Sequence, residues 1–314
     1  MTPYLGPDLL CQSATAGYSF EVTSADETHN KLNKTNLLPK MKNLLLGAAV
    51  SVGLIGIAQA AGVQSGVTVY YNFDGNLNDS ASSLAGNANT IDDNLAPASG
   101  HAGNLGGGLF GGGSYLGSGV GTGHAEAAFS PDLDGGTNGG QVQAITVQWW
   151  GRANSLDTGW QAGVARGEGQ NWRFHRQGGS QTMAWQGGGG DIHGGANIND
   201  GEWHHFVGTS DVASNTRVLY IDGVVMSSQG IGTPINSDTN LPLMVGENPQ
   251  ANNREWNGEI DDVAIWNRAL SEAEVNEIYN AGRAGTSLGA IPEPTVGLLG
   301  LLSVGFLALR RRRR

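Results

Sequence analysis

Apolar and polar residues alternate along much of the middle of the chain, a pattern that predicts β-strands with one buried face. In Ala144–Trp150, for example, Ile145, Val147 and Trp149 fall on one side. An Asp-Gly pair at 222–223 separates two such runs, which is typical of a β-hairpin. Together the runs predict an all-β protein built as an antiparallel two-sheet sandwich. The predicted strands are Val67–Phe73, Ala144–Trp150, Trp203–Thr209, Thr216–Ile221, Val224–Ser227, Leu243–Gly246 and Glu259–Trp266.

One segment near the C-terminus has the period of an α-helix instead. It begins with Ser271 and Glu274 in the spacing of a capping box, and it ends at Gly282. Its apolar residues share one side, so we expect this short helix to pack against an edge of the sandwich. These residues are Val275, Ile278 and Tyr279.

Residues 41–60 have the composition and order of a secretory signal peptide, predicted as an N-terminal signal helix. A basic residue precedes an apolar stretch, and Ala58 and Ala60 provide the small residues of a cleavage site. Because this segment begins at Met41, we predict that the protein starts there. Residues 1–40 are then a wrongly assigned upstream extension, or alternatively a disordered leader.

The C-terminal end, residues 291–314, combines three elements: Pro292-Glu293-Pro294, the uncharged residues 295–309, and the cluster Arg310–Arg314. Fifteen residues form a helix of about 22 Å, short of a hydrocarbon core of about 30 Å. Arginines that extend to the headgroups can make up the difference, so we predict a transmembrane helix. A linker over residues 284–290 joins this tail to the body of the protein.

These three elements in this order resemble the PEP-CTERM sorting tail of Gram-negative bacteria. The resemblance implies that an exosortase recognises and removes the tail, and that the membrane is a transient partner. It further implies export through the inner membrane to the cell surface or the extracellular matrix. An ordinary C-terminal membrane anchor is the alternative.

Charge and cysteine content narrow the possible partners of residues 61–290. This part has eight arginines, no lysine and 23 acidic residues, a net charge near −15. Such a surface argues against nucleic acid as a partner, since phosphates attract basic patches. It also disfavours anionic polymers. Cys11, the only cysteine, precedes the signal peptide, so the mature protein would have no disulfide.

Four segments resemble laminin-G-like domains of the concanavalin A-like class. The resemblance covers residues 61–283 and implies a jelly roll of two sheets whose first and last strands are neighbours. It leaves the ligand open, because this fold serves lectins, adhesins and glycan hydrolases. The glycine-rich region 83–140 departs from the family and is left unassigned. The matching segments are Tyr71–Ser80, Asp200–Phe206, Leu219–Gly223 and Gly258–Ser271.

A structural calcium ion is the first candidate ligand. If the first and last strands are neighbours, four carboxylates converge, and such a cluster suits a hard cation. Ile260 and Val263 can both face the core only if a β-bulge falls between them. The alternative is that these aspartates hydrogen-bond backbone amides in turns. The candidate ligands are Asp74, Asp79, Asp261 and Asp262, whereas the acidic turn Asp132-Leu133-Asp134-Gly135 is predicted to be a solvated loop.

Carbohydrate is the second candidate ligand, because four tryptophans lie in Gly-, Asn- and Gln-rich stretches outside the predicted strands. Exposed aromatic faces stack on sugar rings, and nearby polar side chains supply hydrogen bonds. The alternative is that the tryptophans fill the core. The candidates are Trp160, Trp172, Trp185 and Trp256, with Arg173, His175, Arg176 and Gln177 as hydrogen-bonding residues.

The sequence contains little evidence for a catalytic site or for a metal site formed by histidines. Glu259 and Asp261 resemble part of the E-x-D-x-E strand of retaining β-glucanases, but the second glutamate is missing. His204 and His205 are adjacent in a predicted strand, so their side chains should point to opposite faces, one buried and one exposed. They are therefore not expected to bind one metal ion together. We therefore predict a non-enzymatic module that binds extracellular polysaccharide. The alternatives are a structural or adhesive matrix protein and a β-glucan hydrolase.

Overall fold

The computed structural model describes residues 62–100, 105–195 and 197–293. The predicted signal peptide with Ala58 and Ala60, the apolar helix 295–309 and Pro294 lie outside these residues. Within the described ranges, no helix is both long and apolar enough to cross a membrane.

The described residues form short strands and one α-helix, as the sequence predicts. The helix is α1 (Glu272–Arg283). The strands are β1 (Val67–Tyr71), β2 (Ala96–Ala98), β3 (Leu105–Gly106), β4 (Ser114–Ser118), β5 (His124–Ala127), β6 (Gly140–Gln141), β7 (Ala144–Ala153), β8 (Ala162–Ala165), β9 (Trp172–Arg176), β10 (Met183–Gly187), β11 (Ile192–Gly194), β12 (His204–Asp211), β13 (Thr216–Ile221), β14 (Val224–Gln229), β15 (Asn236–Ser237), β16 (Leu243–Val245) and β17 (Asn257–Trp266).

The strands assemble into two large antiparallel sheets, which confirms the predicted sandwich. The first sheet has the order β14-β13-β12-β7-β17-β4-β3, with β1 also paired to β17. The second sheet has the order β11-β10-β9-β8-β16-β5-β2, and β6 and β15 form a separate pair. Strands β2 to β5 lie in the region that the sequence left unassigned. The sequence analysis did not predict strands β8 to β11, because glycine and polar residues interrupt the alternation of apolar and polar positions in these segments.

The last strand, β17, pairs with three other strands. One edge pairs with β7, and the other is divided between β4, which pairs with residues 257–260, and β1, which pairs with residues 263–266. The first and last strands are therefore neighbours, as predicted. The divided edge coincides with a β-bulge: the register with β7 shifts between Asp261 and Ala264, and Asp262 has a φ of 51°. The predicted bulge is thus confirmed.

A core of aromatic and aliphatic side chains lies between the two sheets. A buried ion pair contacts this core through Trp172: Arg166 Nη2 donates to Asp134 Oδ2 over 2.7 Å, and Trp172 Nε1 donates to Asp134 Oδ1 over 2.8 Å. Asp134 belongs to a 3-10 turn, Pro131–Asp134, whose last three residues are buried. The prediction of a solvated loop here is wrong, because these partners draw the acidic turn into the core.

A second apolar cluster covers the outer face of the first sheet. Helix α1 contributes Val275 and Ile278, and its capping box is confirmed by the bond from Glu274 N to Ser271 Oγ. The predicted linker 284–290 packs into this cluster through Leu288, which is fully buried. The linker prediction is therefore wrong, since this segment is part of the folded domain.

Gln64 ties the beginning of the domain to its end. Its side-chain amide donates to the carbonyls of Leu288 and Ile291, each over 3.0 Å. Its backbone N–H donates to Glu293 Oε1 over 2.8 Å. Trp266 Nε1 adds a bond to the carbonyl of Val63 over 2.8 Å. The predicted sorting motif thus begins within the folded domain, because Glu293 is bound to it.

Two aspartates of the β17 bulge are buried and have perturbed ionisation. Burial and the neighbouring Asp262 carboxylate raise the pKa of Asp261 to about 8. Burial raises the pKa of Asp262 to about 7, although Tyr70 and the N–H of Leu288 donate to it. Between pH 4 and pH 8 these two carboxyl groups therefore hold more protons in the folded protein than in the unfolded chain, so their contribution to stability falls as the pH rises.

Replacement Arg166→Met should lower the free energy of unfolding by about 3–5 kcal/mol, because it leaves the Asp134 carboxylate buried without its cation. Urea denaturation followed by tryptophan fluorescence measures the change. As a matched control, Arg283→Met at the exposed end of α1 should change stability by no more than about 0.5 kcal/mol. Equal effects of the two substitutions would contradict the role of the buried pair.

The free energy of unfolding, measured with a chelator present, should fall between pH 5 and pH 8. Asp261→Asn should flatten this dependence, since each unit of pKa difference between the folded and unfolded states corresponds to about 1.4 kcal/mol. Asp238→Asn is the control: hydrogen bonds from Asn240 lower the pKa of Asp238, so it does not titrate in this window. The same pH dependence in Asp261→Asn and in the unmodified protein would show that Asp261 is ionised throughout this window.

Candidate functional site

The outer face of the second sheet collects polar side chains around strand β9. Trp172 and Phe174 of this strand point into the core, so Arg173 and His175 lie on the opposite face. The residues paired with His175 on either side are Ala162 and Ala184. All three residues are buried, so this part of the face is covered by the loops above it.

Trp160 lies next to His175 and is partly open to solvent. The centroids of the two rings are 5.4 Å apart, and 37% of Trp160 is exposed. Its φ of 64° is left-handed, a strained conformation for a bulky residue. Arg176 holds the surrounding loops by donating to the carbonyls of Leu156 and Thr158 at 3.1 and 2.8 Å. The indole is therefore presented by a constrained loop.

Asp191 is fixed by two basic residues of β9. Its Oδ1 accepts from Arg173 Nη2 at 3.2 Å and lies 3.1 Å from His175 Nε2. Burial alone would raise the pKa of Asp191, but the hydrogen bond from His175 and the charges of His175 and Arg173 lower it. Both bonds that the described residues make to Asp191 use Oδ1, and the side chain is 19% exposed, so Oδ2 can accept from a ligand.

A run of four glycines, 187–190, brings the chain from β10 to Asp191. Gly188 and Gly189 have φ values of 97° and 68°, and a Cβ atom at Gly189 would collide with the carbonyl of Ile231. The guanidinium of Arg217 donates to the carbonyls of Gly188 and Gly190. Only glycine allows this tight turn against its neighbours, and the turn determines the position of Asp191.

A second charged pair borders the same face. Glu168 Oε1 accepts from Arg254 Nη1 at 2.6 Å and from Asn248 Nδ2 at 3.0 Å. Arg173 Nη1 donates to the carbonyl of Gly167 at 3.5 Å, which brings the neighbouring Glu168 close to Arg173. The side chains of Glu168 and Arg254 are 36% and 26% exposed, so both can contact a ligand. His193 of β11 is exposed and pairs with Ala184, as His175 does, so it lies on the same face. We call Trp160, Asp191, His193, Glu168 and Arg254 the binding surface.

The structure places only one of the four predicted tryptophans on a surface. Trp172, Trp185 and Trp256 are 0%, 0% and 1% exposed and belong to the core, where Trp256 packs edge-on against Trp149. Their predicted role in stacking on sugars is therefore wrong. Trp172 and Trp185 lie in strands that the sequence did not reveal, and alternation within those strands turns them inward.

Arg173 and His175 do lie at the site, but beneath it. They are 7% and 1% exposed, so they position Asp191 rather than face a ligand. His175 Nδ1 also lies 2.9 Å from the carbonyl of Arg176. The sequence offered no signal for Asp191, Glu168 or Arg254, since nothing local indicates that these loops meet above β9.

The four predicted calcium ligands serve other partners. Asp79 accepts from the N–H groups of Tyr70 and Ala81, each at 2.9 Å. Asp261 accepts from Leu109 N at 2.9 Å, and Asp262 accepts from Leu288 N at 2.7 Å. Asp74 is exposed and accepts from Gly113 N at 3.3 Å. Throughout the described ranges, no three Asp, Glu, His or Cys side chains form a group able to hold a metal ion. The four predicted ligands therefore do not converge in one cluster, and calcium binding stays a prediction.

The remaining candidates have structural roles in the first sheet. Glu259 and Asp261 are 7% and 1% exposed, and Arg152 Nε donates to Glu259 Oε2 at 2.7 Å. A substrate would have to displace the segment around β3 to reach them. His204 and His205 have different partners, Asp222 and Gln148, each at 2.8 Å. Both histidines are buried, so the expectation that one is exposed is wrong.

Comparison with solved structures shows the same architecture in bacterial toxin domains. The binding domain of Paraclostridial Mosquitocidal Protein 1 has a TM-score of 0.54 at 17% identity, with 70% of this chain and 53% of that chain covered. The receptor-binding domain of botulinum neurotoxin D has a TM-score of 0.52 at 13% identity, with coverage of 70% and 54%. The binding domain of botulinum neurotoxin DC, in complex with SialylT, has a TM-score of 0.50 at 13% identity, with coverage of 70% and 52%.

This chain therefore spans about half the length of those domains, and likeness at such identities shows the fold alone. No curated protein sequence is significantly similar to the chain. Residues 123–276 match the family model described as the concanavalin A-like lectin/glucanases superfamily. The match includes β5 to β17 and the first half of α1. Over this segment the chain is therefore similar to the domains of the concanavalin A-like lectin/glucanases superfamily.

Proposed function

We propose that the protein is a non-enzymatic module that binds extracellular carbohydrate on the outer face of its second sheet. The observation that carries this proposal is the pairing of a partly exposed tryptophan, Trp160, with a carboxylate, Asp191, held by two buried basic residues. A superfamily that includes lectins, and solved neighbours that are themselves binding domains, support the same class of function.

The chemistry of the binding surface suits a sugar. An indole face packs on the C–H groups of a pyranose or furanose ring. Asp191 Oδ2 can accept hydrogen bonds from sugar hydroxyls, and the charged pair of Glu168 and Arg254 supplies further acceptors and donors. Because Arg173 and His175 orient Asp191 before a ligand arrives, binding costs little additional ordering.

Charge indicates a neutral glycan. The two carboxylates of the binding surface, Asp191 and Glu168, are each paired with an arginine, but residues 61–290 as a whole carry a net charge near −15. A polysaccharide of uronic acids or sulfated sugars would be repelled. A neutral polysaccharide meets no such repulsion, so we expect it to be preferred.

For the rest of the chain we propose export and sorting. The signal peptide over residues 41–60 would direct secretion across the inner membrane of a Gram-negative bacterium. The C-terminal tail would hold the protein transiently in the membrane until an exosortase removes it. The mature domain would then act at the cell surface or in the extracellular matrix, where polysaccharide is available.

Trp160→Ala should weaken binding to a neutral polysaccharide by about tenfold, equivalent to about 1.4 kcal/mol, because the stacking surface is lost. Asp191→Asn should also weaken it, since an amide accepts fewer hydrogen bonds. A glycan array that finds the ligand, followed by isothermal titration calorimetry, measures both effects. Uronic acid polymers should bind more weakly than neutral polymers of the same length.

The matched control is Trp203→Ala, which removes a half-buried tryptophan that directly precedes β12 and lies against Arg152. Its affinity for the same glycan should equal that of the unmodified protein. Absence of saturable binding together with self-association would favour the structural matrix protein instead. Release of reducing sugar from β-glucans, lost on replacing Glu259, would favour the hydrolase.

Secretion from a Gram-negative host that has an exosortase should yield a protein that begins at Ala61 and lacks Arg310–Arg314. Mass spectrometry of the secreted protein measures both ends. Substitution of Pro292-Glu293-Pro294 by alanines should leave the tail attached. Peptides from residues 1–40 in the product would contradict the proposed start, and an intact tail in the unmodified protein would contradict sorting.

A further inference from the structure

His175 contacts the two residues that carry the proposed function, and it does so from beneath the binding surface. Its ring lies beside the Trp160 indole, with the ring centroids 5.4 Å apart. Its Nε2 atom lies 3.1 Å from Asp191 Oδ1, and its Nδ1 atom lies 2.9 Å from the carbonyl oxygen of Arg176. Because the His175 side chain is only 1% exposed, these neighbours rather than solvent determine what its nitrogens bind.

Both nitrogens of this ring face oxygen atoms that accept hydrogen bonds. The carbonyl of Arg176 is an acceptor only, and so is the carboxylate of Asp191 when it is ionised. A neutral imidazole carries one N–H and can donate to only one of the two oxygens, whereas the imidazolium donates to both. The geometry therefore matches the protonated form of His175.

The proton belongs to the histidine rather than to Asp191. Burial alone would raise the pKa of Asp191, but the hydrogen bond from His175 and the charges of His175 and Arg173 lower it. Arg173 Nη2 donates to the same oxygen, Oδ1, at 3.2 Å. The carboxylate is therefore ionised, and His175 is the donor in its bond with Asp191.

Loss of this proton disrupts one contact, whichever nitrogen keeps its hydrogen. If Nδ1 keeps it, the lone pair of Nε2 faces Asp191 Oδ1. If Nε2 keeps it, the lone pair of Nδ1 faces the carbonyl of Arg176. Ala162 and Ala184, which pair with His175 on either side, are fully buried, so water has little access to the facing acceptors. The neutral ring also loses the attraction that a positive charge has for an indole face within about 6 Å.

We propose that a proton on His175 holds Trp160 and Asp191 in the geometry that binds sugar, so that affinity for carbohydrate falls as the pH rises. His175 is a positioning residue: it acts on Asp191 through a charge-assisted hydrogen bond and on Trp160 through its charge. Histidine ordinarily changes its charge between pH 5 and pH 8, so the effect falls in that range. This inference rests on the proposed function, because it concerns regulation of the same surface.

Other charged groups surround His175, and the test has to distinguish them from it. His193 lies on the same face and is separated from His175 by strand β10. His124 of β5 lies farther along the second sheet, beyond β8 and β16, next to Glu126. The arginines stay charged throughout this range. The charged and titratable groups around His175 are Arg173, Arg176, Asp191 and His193, with Glu168 and Arg254 at the border.

The first test needs no sugar. Nitrogen-15 NMR of the histidine rings in the full chain, followed from pH 5 to pH 9, reports the protons on His175, whose signals are assigned by their loss in His175→Gln. We expect both ring nitrogens to be protonated at pH 5. Loss of one proton should shift the indole N–H signal of Trp160 with the same midpoint. A His175 ring that is neutral at pH 5, or a Trp160 signal that does not follow its titration, would overturn the proposal.

The second test measures affinity by isothermal titration calorimetry of the full chain with three neutral polysaccharides, laminarin, arabinan and dextran. Binding linked to one proton weakens by at most about tenfold per pH unit, and we expect a loss of about fivefold or more between pH 5.5 and pH 8.5. His175→Gln keeps an amide donor that does not titrate, so its affinity should change less than about twofold over this range. Circular dichroism verifies that this variant is folded.

The matched controls are histidines of the same sheet. His124→Gln should leave both the affinity and its pH dependence unchanged, and the fall in affinity should persist in His193→Gln. An equal fall in His175→Gln and in the unmodified protein would overturn the proposal. Absence of binding to all three polysaccharides at both pH values would instead count against the proposed function, while the NMR titration would still decide whether His175 controls the surface.

Discussion

Strand β17 has to pair along its whole length with partners from opposite ends of the chain, and the sandwich depends on that pairing. The bulge at Asp261 and Asp262 makes it possible, because it changes the direction of the strand where β4 gives way to β1. The same bulge turns both carboxylates away from the main core into a nearly dry layer. The bulge that allows the first sheet to close is therefore also the reason that the Asp261 and Asp262 side chains are buried, which is energetically unfavourable.

Local signals in the sequence predicted the parts of the fold that local interactions determine. The Asp-Gly turn, the capping box of α1 and the bulge implied by Ile260 and Val263 each depend on a few adjacent residues, and the structure contains all three. The neighbouring first and last strands followed from a resemblance to a known family rather than from any pattern. Hydrophobic alternation alone would not have determined the order of the strands.

The binding surface could be predicted only in part, because its residues come together over long distances in the chain. Trp160 was identified since a tryptophan among glycines is conspicuous. Trp172, by contrast, looked the same in sequence but is drawn inward by its bond to Asp134. Asp191 depends on glycines packed against residues some forty positions later. Contacts between residues far apart in the chain produce no periodic pattern in the sequence. Sequence patterns therefore could not distinguish a core tryptophan from an exposed one.

The bonds between Gln64, Leu288 and Glu293 have a mechanical consequence. They place both ends of the domain at one point, and β1 and β17 run antiparallel from there. A force that pulled these ends apart would load one pair of backbone bonds at a time, in the manner of a zipper, rather than many together in shear. The domain would resist such tension weakly. When the protein is attached through one end only, no tension acts across the pairing of β1 with β17. Tethering by the tail alone would therefore preserve the fold under flow.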